Sequence, residues 1–327
     1  MIQIQKISYN NRDYIWDGNK EDFSMFQIKE YQSVEIPEKF TKYCPLTEYS
    51  IDSILNQYIY AAHPYELNDP FDCFSQLIDT AEITNDDIEF LENSLKVNIN
   101  KEKVLKDPES FIEILFELLF EKCGIISVTD SKNENPALWA NYANKHKGFS
   151  VTYRRDSLNK VAIGPFRIDY VINLEKLKFN KNNVNVLVLY LSTVKSNYWK
   201  NENEWRFIGV GQNPMYVPYK DSGKDKEQQQ QNRKLFLQEN SIFCIKLGFY
   251  FFDIQNMHKN NLNEIVINLN KEQEKDLKIK LLNYIQRNKI PLSMTFIDKS
   301  GFKFKAIEVE YDYNQESSVF KYKMPIH

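Results

Sequence analysis

Segments with strand periodicity and segments with helix periodicity follow one another along this chain without a regular βαβ alternation, and no Gly-rich loop joins a strand to a helix. A doubly wound nucleotide fold requires both, and the chain has only 9 glycines in 327 residues. What remains is an α+β fold, with mixed or antiparallel sheets flanked by helices. Residues 1–36 read as an N-terminal hairpin extension, with Ile2, Ile4 and Ile7 before Asn10-Asn11 and Tyr14 and Trp16 after it. Residues 37–327 read as a single α+β domain, the strands and helix of 241–327 packing on the rest.

Within that domain, 40–44 reads as a strand, and Ile51, Ile54, Leu55 and Tyr58 as one face of a helix capped by Ser50 that runs on toward Pro64. Asn68-Asp69-Pro70-Phe71-Asp72 is a loop, because the residue before proline avoids the helical region and short polar side chains bond their own backbone. Helices follow from Thr84 and from Asp107-Pro108, the second stopped by Gly124, and 125–129 is a buried strand. Asn135-Pro136 opens a helix stopped by Gly148, which places Trp139, Tyr142 and His146 on one face. Strands are expected at 149–153, 165–171, 242–248, 293–297 and 302–311, and helices at 184–195 and from Asn270. The Gln-rich stretch 220–234 has no apolar periodicity and reads as an exposed loop.

Composition enters chiefly to exclude. A net charge of −3, from 42 basic and 45 acidic residues, is not the basic footprint of a protein held to nucleic acid by phosphate contacts. Cys44, Cys73, Cys123 and Cys244 are scattered without a CxxC or a nearby His pair, which argues against a zinc site and a disulfide framework. No segment approaches the ~18 consecutive apolar residues of a membrane span, and the first residues lack the apolar core of a signal peptide. The expectation is a cytoplasmic protein.

Acid, base and indole are packed most closely in Trp199-Lys200-Asn201-Glu202-Asn203-Glu204-Trp205-Arg206-Phe207-Ile208. As one strand, this segment puts Lys200, Glu202, Glu204, Arg206 and Ile208 on one face and the aromatic rings on the other. Two carboxylates one above the next suit chemistry, and a charge-balanced ladder with Trp199, Trp205 and Phe207 in the core is the structural alternative. Trp139, Tyr142 and His146 have a core reading too, and His146 near a helix end suits a charged cap worth roughly 0.3–1 kcal/mol.

Lys42-Tyr43, Leu67-Asn68-Asp69-Pro70-Phe71-Asp72, Ile126-Ser127, Leu138-Trp139-Ala140-Asn141-Tyr142 with His146-Lys147-Gly148-Phe149, and Trp199 with Glu202-Asn203-Glu204-Trp205-Arg206 together resemble a bacterial family numbered twenty-nine seventy-one among the domains of unknown function. The resemblance spans roughly 40–250, and some relatives are similar to abortive-infection proteins of phage defence. The family often has Cys-Phe-Ser where this chain has Ile125-Ile126-Ser127, so Ser127 carries over and a thiol does not.

The layout also resembles, more distantly, mono-ADP-ribosyltransferases. That resemblance implies an effector of a bacterial defence or toxin system that uses NAD and a macromolecular acceptor. Glu204 would stabilise positive charge on the ribose, and Glu202 would orient or deprotonate the acceptor. Lys42 and Tyr43 would hold NAD, with Lys42 standing where Arg or His is usual. Ser127 would support Glu204, Tyr142 would stack on nicotinamide, and Asn68, Asp69, Trp139, His146 and Arg206 would complete the cleft. Two other classes stay open: a metal-dependent hydrolase using Asp69, Asp72, Glu202 and Glu204 as hard oxygen ligands, and a non-enzymatic binding module.

Overall fold

The computed structural model describes residues 4–20, 25–95, 98–130, 132, 134–211, 225–260, 264–298 and 303–323. It has the α+β class. Eight strands form the central sheet: β1 (Lys39–Cys44), β2 (Cys123–Asp130), β3 (Phe149–Arg154), β4 (Ile163–Arg167), β5 (Glu204–Val210), β6 (Ile242–Leu247), β7 (Leu292–Asp298) and β8 (Lys303–Glu308). Their order is β8-β7-β6-β3-β1-β2-β5-β4. All neighbours are antiparallel except β6 and β7.

Alternating side chains give the sheet two cores, one per face. Phe40, Ile126, Val128, Trp205 and Phe207 pack on one side against the helices Glu48–Leu55 and Lys275–Arg287. Ile125, Ile163, Phe166 and Ile208 pack on the other against the helices Ile112–Phe120 and Val184–Thr193, the second buried from Val186 to Thr193. Each fully buried Phe or Ile contributes roughly 1.5–3 kcal/mol relative to exposure, so the faces of β2 and β5 are strongly specified. A three-stranded antiparallel sheet (Ile4–Tyr9, Arg12–Asp17, Phe26–Glu30) lies against the Val184–Thr193 helix, where Tyr14 meets Tyr190 edge-on. The Asn10-Asn11 turn is as expected, both residues having positive φ.

One irregularity shapes the site. β1 pairs with β3 along its whole length but with β2 only at Phe40↔Asp130 and Thr41↔Thr129. Farther along, β2 bridges to Ala62 at Ile125 instead, with bonds of 2.9 and 2.7 Å. The sheet is therefore split between β1 and β2, and the Lys42 ammonium reaches into the split to donate to the Ser127 carbonyl at 3.3 Å. Gly124, expected as a helix stop, instead lies within β2. A Cβ there would come within 2.7 Å of the Ala61 Cβ and carbonyl oxygen, so glycine admits the crossing segment.

Several local expectations are corrected. The first helix is Glu48–Leu55, capped by Thr47 rather than Ser50, and Gln57 in the left-handed region turns the chain into the strand Tyr58–Tyr60. The Asp107-Pro108 start gives one 3-10 turn, Pro108–Phe111, before the helix, and a further helix, Lys101–Lys106, precedes it. The last helix begins at Lys275, not Asn270. Residues 225–232 of the expected Gln-rich loop are helical (Asp225–Asn232); with no apolar stripe to read, periodicity gave no signal. Residues 212–224, including Tyr216-Val217-Pro218-Tyr219, lie outside the described residues.

Gly124→Ala is expected to push the Ala61–Ala62 segment off β2 and destabilise the protein by about 1–3 kcal/mol, as overpacking does. An unchanged denaturant midpoint would contradict that close approach.

Candidate active site

The expected ten-residue strand is two elements. Asn197–Glu202 is a 3-10 helix, Asn203 is left-handed (φ 46°, ψ 46°), and β5 begins at Glu204. Asn tolerates this conformation better than most residues, and Thr129 fixes the turn by donating from Oγ1 to the carbonyls of Glu202 and Asn203, each at 3.1 Å. Of the five side chains expected to share a face, Glu204, Arg206 and Ile208 do so on β5. Lys200 is exposed, and Trp199, expected in the core, lines a cavity.

The two carboxylates nevertheless meet, through a cation the sequence reading missed. Lys195, in the short strand Val194–Ser196, donates from Nζ to Glu202 Oε2 and to Glu204 Oε2, both at 2.9 Å. It also lies 3.4 Å from Asp72 Oδ2 and 5.1 Å from the centre of the Trp199 ring. The signal was a lone lysine shortly after the apolar run Val186–Leu191, where a charge is tolerated only with partners.

Arg206, with no exposed surface, grips both ends of the cluster. Its Nη1 donates to Asp72 Oδ1 at 2.7 Å and to the Ser192 carbonyl at 2.9 Å, and its Nη2 to Asp72 Oδ2. Nε donates to Glu204 Oε1 at 2.7 Å. Glu202 Oε1 in turn accepts from the Tyr142 hydroxyl at 2.7 Å. Three carboxylates (Asp72, Glu202, Glu204) thus face two cations (Lys195, Arg206) in one buried network.

Electrostatics fix the charge states. Burial by itself would raise the Glu204 pKa, but the charges of Arg206 and Lys195, with hydrogen bonds from Arg206 and Ser127, outweigh it and hold the carboxyl down at about 2. Burial would lower Lys195, and the carboxylates around it, Glu204 foremost, reverse the sign and hold the ammonium above its ordinary range. The Tyr142 phenol is pushed up by burial and by its bond to Glu202.

This network is the floor of a cavity of about 200 Å³ between β1, β2, the 67–72 loop and the 3-10 turn. Of the expected residues, Lys42, Tyr43, Asn68, Asp69, Ser127, Tyr142, Glu202, Glu204 and Arg206 line it. Among its lining side chains five acids (Glu66, Asp69, Asp72, Glu202, Glu204) outnumber three bases (Lys42, Lys195, Arg206), and Tyr43, Tyr142 and Trp199 supply aromatic walls. Asp69 stands out. Its Oδ1 accepts from the Phe71 amide at 3.0 Å, while Oδ2 is buried without a hydrogen-bond partner. A buried acceptor left unmet costs about 1–3 kcal/mol, and a ligand donor would relieve it.

Trp139 and His146 do not line the cavity. The helix Pro136–Tyr142 ends before Gly148, and Asn144, Lys145 and His146 all have positive φ, so His146 leaves the helical face. Trp139 is fully buried behind Tyr43, ring centres 5.0 Å apart, with its Nε1 on Glu134. His146 lies near Trp139 and 4.6 Å from Phe304, where burial pushes its pKa down, against a charged helix cap. The acids named for a metal site have other partners here. Asp72 and Glu204 spend their oxygens on Arg206, and among the described residues no group of three or more His, Cys, Asp or Glu could hold a metal ion.

Residues 138–207 match the model of a family described as protein of unknown function, DUF2971. That segment is similar to the family. It runs from the Tyr142 helix to β5 and contains Glu202, Glu204 and Arg206, whereas Lys42 and the 67–72 loop lie outside the matched residues. No curated protein and no solved structure matches the chain. No helix among the described residues is long and apolar enough to cross a membrane.

Arg206→Leu leaves Asp72 and Glu204 buried without their common partner and is expected to cost about 3–5 kcal/mol in denaturant unfolding, the range for breaking a buried pair from one side. The pH dependence has a definite sign. Glu204 titrates near 4.5 when unfolded and near 2 when folded, so its contribution is complete above pH 4.5 and fades as pH falls toward 2. Glu204→Gln should therefore show a flatter melting temperature across that window than the native chain.

Proposed function

We propose that the cavity cleaves the bond between nicotinamide and ribose in NAD and passes ADP-ribose to an acceptor, the chemistry of an ADP-ribosyltransferase-like effector. The observation that carries this reading is the ionised Glu204 on the floor of an acidic, aromatic-walled cavity, braced by Lys195 and Arg206. A fixed negative charge supports a reaction that builds positive charge on the ribose, because it need not reorganise as that charge appears. The acidic lining also suits the pyridinium end of NAD, and Tyr43, Tyr142 and Trp199 offer ring faces to it. The unmet Asp69 Oδ2 is an acceptor of the kind a ribose hydroxyl needs.

In this mechanism the carbon–nitrogen bond breaks and nicotinamide leaves neutral with the bonding electrons. The oxocarbenium-like ribose faces Glu204, and an acceptor hydroxyl attacks the same carbon. Glu202 orients that hydroxyl or takes its proton, its carboxylate positioned by Tyr142 and Lys195. A bacterial defence or toxin setting belongs to the same proposal and rests on the family resemblance.

The test is nicotinamide release from NAD by purified protein, with and without candidate protein or nucleic-acid acceptors. Glu204→Gln should reduce turnover by at least a hundredfold while the folded signal persists below its melting temperature. Glu202→Gln should impair transfer more than NAD binding. Undiminished turnover in a folded Glu204→Gln protein would end the reading.

A further inference from the structure

The floor cavity is too small for the ligand just assigned to it. At about 200 Å³ it falls below the roughly 300–1,000 Å³ of pockets that enclose a drug-sized ligand, and NAD is a long molecule. Its diphosphate is also the wrong sign for a floor where carboxylates are in excess. The nicotinamide riboside end fits such a floor, and the rest must leave it. The β1 side of the cavity ends at Lys42 and Tyr43, and these two residues also line a second hollow of about 700 Å³.

The split between β1 and β2 explains the shared wall. Alternation along β1 puts Tyr43 with Thr41 on the face that carries Glu204, and Lys42 with Cys44 on the opposite face, toward Tyr153. Because β1 leaves β2 after Thr41, the Lys42 ammonium reaches back through the gap to the Ser127 carbonyl, the one hydrogen-bond acceptor it meets among the described residues. An ammonium has three donors, so two remain for phosphate oxygens. Beyond it the hollow is walled by Tyr49, Tyr58, Tyr60 and Tyr153, and Asp52 is held there by the Tyr58 hydroxyl at 2.7 Å and Lys234 at 3.3 Å.

We propose that this second hollow is the nucleobase subsite of the same site, so that a dinucleotide crosses the sheet at the split, with its diphosphate on Lys42 and its adenine among the tyrosines. Ring faces suit a base, and Asp52 offers a carboxylate to its exocyclic amine. The proposal rests on the NAD reading above, and nicotinamide mononucleotide separates the two because it keeps the nicotinamide riboside assigned to the floor, with one phosphate, and lacks the adenosine assigned to the second hollow.

Titration calorimetry on the full chain compares the two ligands. The expected result is that NAD binds at least tenfold tighter than the mononucleotide. Ser53→Tyr, which fills the hollow from the Glu48–Leu55 helix, should bring NAD down to the mononucleotide's affinity and leave the mononucleotide unchanged. Tyr49→Ala, the loss of an 83% exposed ring, should move NAD the same way without unfolding the chain. Equal affinity for both ligands in the native chain overturns the subsite and leaves the NAD reading standing, as does a loss of both ligands in parallel in folded Tyr49→Ala. Binding of neither ligand overturns both.

Discussion

The Arg206 guanidinium is the contact on which the arrangement depends. It is held by Asp72 from the 67–72 loop, Glu204 from its own strand and the Ser192 carbonyl from the end of the Val184–Thr193 helix. These groups come from three separated parts of the chain, and a planar fork of five donors can satisfy all of them at once where a lysine could not. The loop is therefore tied over the sheet by charge-assisted bonds rather than by its own packing. Phe71 within it is 54% exposed, so the hydrophobic effect alone would hold the loop weakly. The cavity exists because the loop is fastened at Asp72 while Asp69, three residues earlier, is left facing the space beneath.

The same fastening explains how two carboxylates on different elements come to share one lysine. Glu204 is aimed by β5, whose register with β2 sets it opposite Thr129. Glu202 is aimed by the 3-10 turn, which Thr129 ties to the strand through two carbonyls. One threonine thus fixes the relation between the acids, and Lys195 enters from the strand that follows the apolar helix. Geometry of this kind is rigid because every member is bonded to at least two others.

Much of this was legible in the sequence, and the misses have physical causes. The α+β class, the Asn135 cap, the Asn68–Asp72 loop and strands at 40–44, 125–129 and 149–153 follow from local patterns that tertiary packing left unchanged. The strand from Trp199 failed because alternation of charged and aromatic residues looks the same in a strand as in a 3-10 turn followed by one; only the positive φ of Asn203 separates them, and Asn permits that without demanding it. Lys195 went unseen because its partners lie 123 residues upstream at Asp72 as well as nearby, and a single sequence does not display such pairings. His146 was misplaced by a helix that stops one turn early.

The buried charges bear on function through their energetics. Ion pairs taken out of water are often no more stabilising than apolar side chains of similar volume, so a cluster of five charges is a poor device for stability alone. This cluster is also unbalanced, with one carboxylate in excess, and although its members are buried they border a cavity, whereas Ile208, next on the same face of β5, packs in the core. Glu204, held ionised by Arg206 and Lys195, therefore borders the same small cavity as the unmet Asp69 Oδ2.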